Sequence, residues 1–420
     1  MIELPFMFNT NSLRDFTSAQ KRRGALEKQL KIKLTNIAGF NFTEEQVNGR
    51  NIENLIGATQ IPLGVAGPVR VKARLPKTGT VGQGKAESLP AGKAGVKEHY
   101  IPLATTEGAL VASISRGCKA ITEAGGAIVE IENVGISRGP VFKTSGIEQN
   151  RKTKNWIESH ISLISQITQK TSSHLKLLKV ETNSVGRNLF VRFSYDPEDA
   201  MGMNMATIAT EAAADLIEKE TGAECIALAG NYDLDKKPSW LNFIQGRGKK
   251  IWAEVTLSKK TVKKILKTTP EKIVEVVESK CHLGSIMSGS LGFNSHFANI
   301  IAAIFLATGQ DPAHIVEGSL GVTTAERLEN GDLYFSIYLP SIQVGTVGGG
   351  THLPTQQEAL NLMNVSNVLE YARVLGSAVL AGELSLISSL AEGSLAKAHQ
   401  KLARGKGQAC LPAGRAEREK

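Results

Sequence analysis

The sequence predicts an α+β fold in which a small domain is inserted into a larger one, preceded by a small helical N-terminal region. Two observations predict it. The middle of the chain carries strand-like and helix-like patterns in the order β-α-β-β-α-β. The length of 420 residues suits two or three domains, and 41% hydrophobic with 21% charged residues is ordinary for a protein with a substantial core.

The elements follow from periodicity, taken in chain order. Helical spacing over 18–37 places a helical region at 1–52, and an apolar-periodic helix follows Gly108 and ends near Glu123. The inserted unit is placed at 140–228 and has the split βαβ order of ferredoxin-like domains. Its strands are predicted at 127–144, 175–181, 188–195 and 224–230, and its helices at 147–170 and 199–221.

The large domain takes the segments on both sides of the insert, 53–139 and 229–405. After the insert, the pattern predicts a loop at 231–248, a strand at 250–257 and two helices at 259–266 and 297–308. Further strands at 332–347 and a long closing helix at 371–399 follow. Residues 406–420 are predicted to be a disordered tail.

Charge and cysteine usage narrow the class of protein. The net charge is +9, and from Lys397 onward seven basic residues stand against two acidic ones. With only 5% aromatic residues there is no stacking platform for nucleic acid, so a basic enzyme that attracts anionic substrates is favoured. Four scattered cysteines, a start unlike a signal peptide and no apolar run of roughly 18 residues predict a cytoplasmic protein with no membrane partner.

Residues 199–205, DAMGMNM, are the most informative stretch. They place a carboxylate, a glycine and three methionines at the head of a predicted helix, where free N–H groups and the positive end of the helix dipole favour a phosphate. Methionine is also a common core filler, so a packed helix start explains the composition equally well. The stretch is not G-x-G-x-x-G, so a nucleotide bound here is not held by a Rossmann fold.

A few side chains could carry proton or charge chemistry. The pair Lys236 and Lys237, preceded by an aspartate, is either a solvated turn or a place where one ammonium polarises a carbonyl oxygen and the other meets a carboxylate. Glu107 is either a first-turn glutamate that interacts favourably with the helix dipole or a proton donor. Asp311 could simply end a helix. His399 lies at a predicted helix end, where a positive charge is favourable in any case. The eight histidines form no H-x-x-x-H, so we expect no catalytic metal.

Several short motifs occur in one order along the chain. They are ENLIG at 53–57, PLGVAGP at 62–68, ATTEG at 104–108, DAMGMNM at 199–205, GNYDLDKKP at 230–238, TVGGGT at 346–351 and LAGELSL at 380–386. Together they resemble the hydroxymethylglutaryl-CoA reductases over about residues 50–405, and the ATTEG form indicates class I.

The resemblance implies a reaction and four catalytic residues. Two hydride transfers from NADPH, with NADH as the alternative, convert the thioester of 3-hydroxy-3-methylglutaryl-CoA into the alcohol of mevalonate. By motif, Lys236 stabilises the oxyanion, Glu107 supplies a proton, Asp311 links and tunes these two groups, and His399 protonates the departing thiolate from a C-terminal flap.

The resemblance also implies binding residues and a partner. The substrate's carboxylate and hydroxyl are expected at Arg138, Asp235, Lys237, Lys280 and Asn299, and the CoA phosphates at Arg116, Lys119 and Lys267. The cofactor is expected at Asp199, Met201, Gly202, Met203, Asn204, Gly348, Gly349 and Gly350. The ENLIG segment resembles one that meets a neighbouring subunit, which predicts a homo-oligomer, a dimer or a dimer of dimers, with the active site between chains.

Some positions depart from the family pattern. Ala229 replaces a serine before the GNY turn, and Ser173 stands where an arginine for the cofactor's 2′-phosphate is expected, with His174, Lys176 or Lys179 as substitutes. Two alternatives therefore stay open at this stage. One is NAD-dependent oxidation of mevalonate, and the other is a basic nucleic-acid-binding protein.

Overall fold

The computed structural model of the chain describes residues 17–30, 38–47, 50–72 and 96–393. The predicted tail at 406–420, the flap with His399 and much of the predicted N-terminal region lie outside the described residues. Within them the chain forms a mixed α+β fold with a large sheet, so the predicted α+β class is confirmed.

Helices lie where apolar periodicity is strong, and several short ones join the longer elements. They are α1 Ala19–Leu30, α2 Glu44–Val47, α3 Leu110–Glu123, α4 Ile147–Ser159, α5 Ile161–Thr171, α6 Met203–Thr221, α7 Trp240–Gln245, α8 Lys259–Thr261, α9 Pro270–Val276, α10 Ser285–Ser288, α11 Phe297–Thr308, α12 Ile315–Gly318, α13 Pro354–Met363 and α14 Val368–Glu392. Wider π-type turns at Val262–Leu266 and Val277–Gly284 continue α8 and α9.

The described strands form two sheets that share one strand. They are β1 Leu63–Lys72, β2 Val96–Ala104, β3 Ala127–Arg138, β4 Val141–Lys143, β5 Lys176–Val185, β6 Asn188–Asp196, β7 Glu224–Ala227, β8 Gly248–Leu257, β9 Gly292–Phe293, β10 Gly321–Arg327 and β11 Leu333–Ile342. The larger sheet has the order β2-β1-β3-β8-β11-β10-β9 and is antiparallel except at β1/β3 and β9/β10.

The smaller sheet has the antiparallel order β7-β4-β6-β5. The end of β3 joins it by pairing Ile136 with Tyr195 of β6. Gly135 makes this crossing feasible, because it has φ of 80° and a Cβ there would lie 2.6 Å from the Tyr195 carbonyl oxygen. The strand predicted over 127–144 is therefore a long β3 and a short β4, interrupted at 139–140.

Each sheet has its own apolar core. The larger cluster surrounds α14 and α11 and includes β8 and β11, whereas the smaller is confined to residues between Ile136 and Ala223 and packs α5 and α6 on the small sheet. Contact between α14 and α3 is at backbone distance, since a Cβ on Gly117 would stand 1.9 Å from the Ala381 carbonyl oxygen. Residue 117 must therefore be glycine for these helices to pack.

Two helices have boundaries that differ from the predicted ones. The helix predicted over 199–221 begins at Met203, because Gly202 has φ of 89° and cannot lie inside a right-handed helix. The helix predicted over 371–399 runs from Val368 to Glu392 and ends at Gly393, whose φ of 73° forms a left-handed cap. His399 lies outside the described residues, so its place at a helix end stays a prediction.

Other predictions need smaller corrections. The helix predicted over 147–170 is two helices, since His160 turns between α4 and α5 and its ring contacts the Trp156 carbonyl at 2.8 Å. The loop predicted over 231–248 contains α7, which Ser239 begins by accepting the Asn242 N–H. Strand β10 and helices α9 and α13 were not predicted, because their apolar patterns are short.

One described helix, α14, is long and apolar enough to cross a membrane by length and composition alone. Of its most apolar window, 78% is buried inside the protein. A buried core helix of this size has the same composition. Helix α14 is the central packing element of the larger core.

Glu370 in the first turn of α14 gives a pH-dependent contribution to stability. One carboxylate oxygen accepts the Lys97 ammonium, and the other accepts the Ser366 N–H at 2.9 Å. Burial raises the pKa of Glu370, but these donors outweigh it and lower the pKa from 4.5 to about 2. The contribution is therefore fully present above pH 4.5 and is lost as the pH falls through about 2.

We expect Glu370→Gln to lower the free energy of unfolding by about 1–2 kcal/mol at neutral pH. The deficit should shrink by more than half on going from neutral pH to about pH 3. Chemical denaturation of both proteins across this range measures it, with Glu358→Gln as an exposed control on α13. A deficit that is the same at both ends of the range would contradict the electrostatic account.

Candidate active site

The loop between β7 and α7 carries the DKK motif in a strained backbone. Asn231, Leu234 and Lys236 have φ of 62°, 64° and 60°, which non-glycine residues rarely adopt. The buried Asn242 side chain stabilises this shape, because its amide donates to the carbonyls of Leu234 and Lys237, both at 3.1 Å. Such conformations persist only where the surroundings over-determine them, and they are concentrated at functional sites.

The Lys236 ammonium and the Asp311 carboxylate form an ion pair, with Nζ 3.0 Å from Oδ2. Asp311 also begins a 3-10 turn, since its Oδ1 accepts the Ala313 N–H at 2.9 Å. Burial by itself raises the pKa of Asp311, but the Ala313 N–H and the Lys236 ammonium outweigh it, so that pKa lies below its usual range. The pair therefore holds a charged, partly exposed ammonium in a fixed direction.

A second pair forms at the start of α11. The Asn299 amide donates to Glu107 Oε2 at 2.7 Å and fixes one face of an exposed carboxylate. The fully buried Glu383 holds the chain just before α11, because it accepts the backbone N–H groups of Ser295 and His296 at 2.9 and 2.6 Å and the His296 ring at 2.8 Å. The central helix α14 thereby positions Asn299 through the first turn of α11.

The two pairs lie toward opposite ends of α11 within one chain. Asn299 is in its first turn, and Asp311 follows its last residue, Thr308. Asn299 and Thr308 are nine positions apart along the helix, which corresponds to a rise of about 14 Å. The structure therefore brings Lys236 to Asp311 and Glu107 to Asn299, but does not join the two pairs in one chain.

Arg247 is fully buried behind the DKK loop. Its guanidinium lies 3.1 Å from Asp235 Oδ1 and 3.0 Å from Glu317 Oε1, and it donates to Ser137 Oγ at 2.9 Å and toward Met203 Sδ at 3.0 Å. Desolvation lowers the pKa of Arg247, and the neighbouring carboxylates oppose this shift. Asp235 is thus fixed from behind by an arginine that the sequence analysis did not single out.

Three ligand-type side chains beside this arginine, Asp235, His314 and Glu317, lie within 4.8 Å of one another. The Arg247 guanidinium already contacts both carboxylates, so the positive charge that a cation would bring is supplied by the protein. We propose no metal at this cluster.

Arg138 lies between the DKK loop and α6. Its guanidinium lies 3.3 Å from Asp233 Oδ2 and donates to Thr207 Oγ1 at 2.8 Å. Lys237 and Lys280 are both exposed, Lys237 in the loop itself and Lys280 on the π-type turn after α9. Arg138 is therefore held in place, whereas the two lysines present their ammonium groups to solvent.

Residues 199–201 pack directly on the glycine-rich loop. Ala200 forms a parallel bridge with Val347, and the Asp199 carbonyl accepts the Thr346 N–H at 2.8 Å. The Asp199 carboxylate is already engaged, because Oδ1 accepts the N–H of Val368 at the start of α14, at 2.8 Å. Asp199 therefore joins the two predicted cofactor motifs instead of pointing freely at a ligand.

Gly202 has a packing reason for lacking a side chain. A Cβ there would stand 2.3 Å from Pro197 Cβ, and its φ of 89° also excludes most residues. Met201 and Met203 are partly buried against the smaller core, and Asn204 is exposed in the first turn of α6. The methionines therefore pack as core residues, while Gly202 adds no side-chain cap to the helix N-terminus, and the nucleotide site at this stretch stays a prediction.

The glycine loop is open on one side and fixed on the other. Gly348 and Gly349 have φ of 77° and 57°, and a Cβ at either would meet no described atom within 4 Å. Gly350 packs against Gly309, and the buried Gln310 amide makes two 2.9 Å hydrogen bonds with the Gly345 backbone. Gln310 precedes Asp311 in sequence, so the loop and the Lys236–Asp311 pair share one support.

Comparison with known proteins decides the family. The family model described as hydroxymethylglutaryl-coenzyme A reductase matches residues 18–404. The 3-hydroxy-3-methylglutaryl-coenzyme A reductase of Methanothermobacter thermautotrophicus is 48% identical over 388 residues, covering 91% of this chain and 93% of the relative. That of Methanocaldococcus jannaschii is also 48% identical, covering 91% of this chain and 92% of the relative. The chain belongs to the hydroxymethylglutaryl-coenzyme A reductase family.

Solved structures of the reductase family share the fold. The class II reductase of Streptococcus pneumoniae, bound to NADPH in open conformations, aligns with a TM-score of 0.63 and 19% identity, over 89% of this chain and 97% of that chain. A second structure of the Streptococcus pneumoniae reductase aligns with the same TM-score and 18% identity. At this identity the likeness concerns the fold alone.

The cations that the reductase resemblance assigns to CoA differ in their surroundings. Lys119 on α3 and Lys267 after the first π-type turn are exposed. The Arg116 guanidinium instead donates to the Ser385 side chain and carbonyl and to Ser389 Oγ on α14. Its Nε and Nη2 are thus used inside the protein, so its assignment to CoA remains a prediction.

The turn between α5 and β5 lies beside the start of α6. Ser172 Oγ donates toward Met205 Sδ at 3.5 Å, which brings Ser173 and His174 to the predicted nucleotide site. The His174 ring lies 2.8 Å from the exposed Glu198 carboxylate. A carboxylate beside the position expected for a 2′-phosphate opposes a second anion there.

The buried residues that hold this site were not among the predicted ones. Glu317, Arg247 and Glu383 have no exposed surface, and Gln310 is almost as buried. Glu383 lies inside the LAGELSL motif, so an acidic residue within an otherwise apolar helix was the available signal.

Proposed function

We propose that this chain reduces 3-hydroxy-3-methylglutaryl-CoA to mevalonate and CoA, a step of the mevalonate pathway, using a reduced nicotinamide cofactor. The observation that carries the proposal is the Lys236–Asp311 ion pair on a strained loop within a chain of this family. The relatives at 46–48% identity, all 3-hydroxy-3-methylglutaryl-coenzyme A reductases, support the same reaction.

The residues present fit the chemistry of a nicotinamide reduction. The open face of Gly348 and Gly349 and the uncapped start of α6 at Met203 and Asn204 are where the cofactor would bind. When bound, the cofactor supplies the hydride. Lys236 then stabilises the negative charge that develops on the substrate carbonyl oxygen, and Asp311 keeps that ammonium oriented.

Proton delivery is assigned to Glu107 and His399. Asn299 holds Glu107 Oε2, which fixes the direction in which the acid faces the reduced oxygen. His399, outside the described residues, is proposed to protonate the departing thiolate. Arg138, Asp235, Lys237 and Lys280 are proposed to hold the substrate's polar groups.

We propose a homodimer, or a dimer of dimers, with the active site between subunits. The Glu107–Asn299 pair lies at one end of α11, and the Lys236–Asp311 pair lies beyond the other. One chain alone therefore does not assemble these four side chains around one substrate carbonyl. A second chain would bring one pair opposite the other. The proposal predicts loss of turnover on dilution below the dissociation constant of the dimer.

The finer assignments are proposals that specific features support. Class I rests on the ATTEG motif, since the structural neighbours named above include a class II enzyme. A ferredoxin-like nucleotide domain at 140–228, inserted between 53–139 and 229–405, is supported by the strand order β7-β4-β6-β5 and by the separate smaller core. A cytoplasmic location is supported by the free thiols of Cys118, Cys225 and Cys281.

We propose NADPH as the preferred cofactor, as in the Streptococcus pneumoniae neighbour, which is bound to NADPH. The specific alternative is NAD-dependent use of mevalonate, which Ser173 and the Glu198 carboxylate beside His174 favour.

Steady-state kinetics with both nucleotides and both substrates test the reaction and its direction. We expect substrate-dependent oxidation of NADPH with release of free CoA thiol, and a higher kcat/KM with NADPH than with NADH. A chain that oxidises mevalonate with NAD but does not reduce the thioester would support the alternative. Nucleic acid binding without thioester reduction would contradict both.

A further inference from the structure

A buried carboxylate lies directly behind the loop that carries Lys236. Glu317, on the short α12, has no exposed surface. Its Oε1 accepts the Lys236 backbone N–H at 2.9 Å, contacts Arg247 Nη1 at 3.0 Å and contacts His314 Nδ1 at 3.2 Å. A buried carboxylate is costly unless such partners compensate it, so these contacts fix Glu317 firmly.

The contact with the Lys236 N–H acts on the strained part of the loop. Lys236 has φ of 60°, a conformation that is costly for a residue other than glycine. The same backbone conformation determines where the Lys236 side chain points, and that side chain ends at Asp311. Glu317 therefore acts on the direction of the ammonium without contacting it.

His314 connects Glu317 with the other support of Lys236. Its ring is fully buried, with Nδ1 against Glu317 and Nε2 3.6 Å from Asp311 Oδ2. Nε2 makes no hydrogen bond within the described part of the chain. The imidazole thus lies between the carboxylate that holds the Lys236 backbone and the carboxylate that holds its ammonium. The other charged groups around it are Asp235, at 3.9 Å, together with Arg247 and Lys236, which contact the same carboxylates.

We infer that Glu317 and His314 are positioning residues for the reduction, holding Lys236 at two points, through its backbone N–H and through Asp311. The inference rests on the proposed function for its kinetic consequence. Its structural consequence, the fixed position of the Lys236 ammonium, is independent of that function.

The test compares Glu317→Ala, Glu317→Gln and His314→Gln with the unaltered chain. Glu317→Ala removes the acceptor and should lower kcat by about 100-fold for both the thioester and mevaldehyde, with the cofactor KM unchanged. Glu317→Gln keeps an acceptor oxygen for the Lys236 N–H and should recover to within about tenfold of the unaltered chain. Glu181→Gln, which removes the carboxylate paired with the buried Arg192, is the matched control and should leave kcat unchanged.

His314→Gln adds a readout that a purely structural role would not change. His314 is one of the groups that lower the pKa of Asp311. Without it the pKa of Asp311 rises, so the acid limb of the kcat/KM profile should move to higher pH. The same limb should stay in place in Glu181→Gln.

Acylation of lysines by acetic anhydride, read by mass spectrometry, tests the position of Lys236 without any turnover. In the unaltered chain Lys236 should react more slowly than the exposed Lys237, and in Glu317→Ala the difference should largely disappear. If Glu317→Ala does not fold, His314→Gln carries the same comparison, with Glu317→Gln as the variant that keeps the acceptor. Folded variants with unchanged Lys236 labelling and unchanged kcat would overturn the inference. An unaltered chain without reductase activity would instead overturn the proposed function, and the labelling result would still decide the inference.

Discussion

Lys236→Ala should abolish both reductive steps while leaving CoA binding largely intact. The ammonium is the one described cation that Asp311 holds in a fixed direction, at 3.0 Å, and charge develops on oxygen in each hydride transfer. Removing a single oxyanion donor typically costs about 10²–10³-fold in kcat, and loss of a full positive charge should reach the upper end. Turnover of the thioester and of mevaldehyde, with calorimetric titration of CoA, measures both effects.

Lys152→Ala on α4 is the matched control, because it removes an exposed lysine that is assigned to none of the predicted binding sites. It should leave kcat and CoA binding unchanged. Near-normal turnover in Lys236→Ala would remove the basis for the oxyanion role.

Arg247→Met should cause the largest loss of stability. The substitution keeps much of the volume but leaves Asp235 and the fully buried Glu317 without the cation that contacts both. Removing one partner of a buried ion pair costs about 3–5 kcal/mol, because the remaining charge is uncompensated. Denaturant unfolding, followed separately for the two cores by local probes, measures the loss in a chain that need not unfold in one step.

Two further variants isolate the electrostatic part of that loss. Arg70→Met breaks an exposed pair with Glu98 and should cost less than about 1 kcal/mol. Adding Glu317→Gln to Arg247→Met should recover part of the stability, because the uncompensated charge is then removed. An Arg247→Met chain as stable as the unaltered one would contradict the account of the buried network.

Local patterns were sufficient for the elements around the candidate cofactor site. Helix α6 buries one face, and strand β6 alternates apolar and polar residues from Val191 to Tyr195, so the periodicity of both is visible in the sequence. Helix boundaries were less predictable. Gly202 before α6 and Gly393 after α14 limit these helices through their backbone conformation, although the apolar pattern continues past them. Gly202 was singled out as a cofactor residue, which stays a prediction, and Pro197 gives a packing reason for glycine there that no spacing rule contains.

The supports of the site could not be predicted, because they join distant parts of the chain. Arg247 meets Glu317 across 70 residues, and Glu383 meets the start of α11 across 88. Motif resemblance named Glu107, Lys236 and Asp311 but not their arrangement. Only the structure shows that Glu107 pairs with Asn299 at one end of α11 while Lys236 pairs with Asp311 beyond the other.

The ratio of nicotinamide oxidised to CoA thiol released tests most directly whether both carbonyl stages are reduced at Lys236. With 3-hydroxy-3-methylglutaryl-CoA in limiting amount, we expect two reduced cofactors to be consumed for each thiol released, with mevalonate as the product. Cofactor oxidation in equal amount to the thiol, with the aldehyde accumulating, would contradict reduction of both carbonyl stages at Lys236. No oxidation at all would contradict the proposed function.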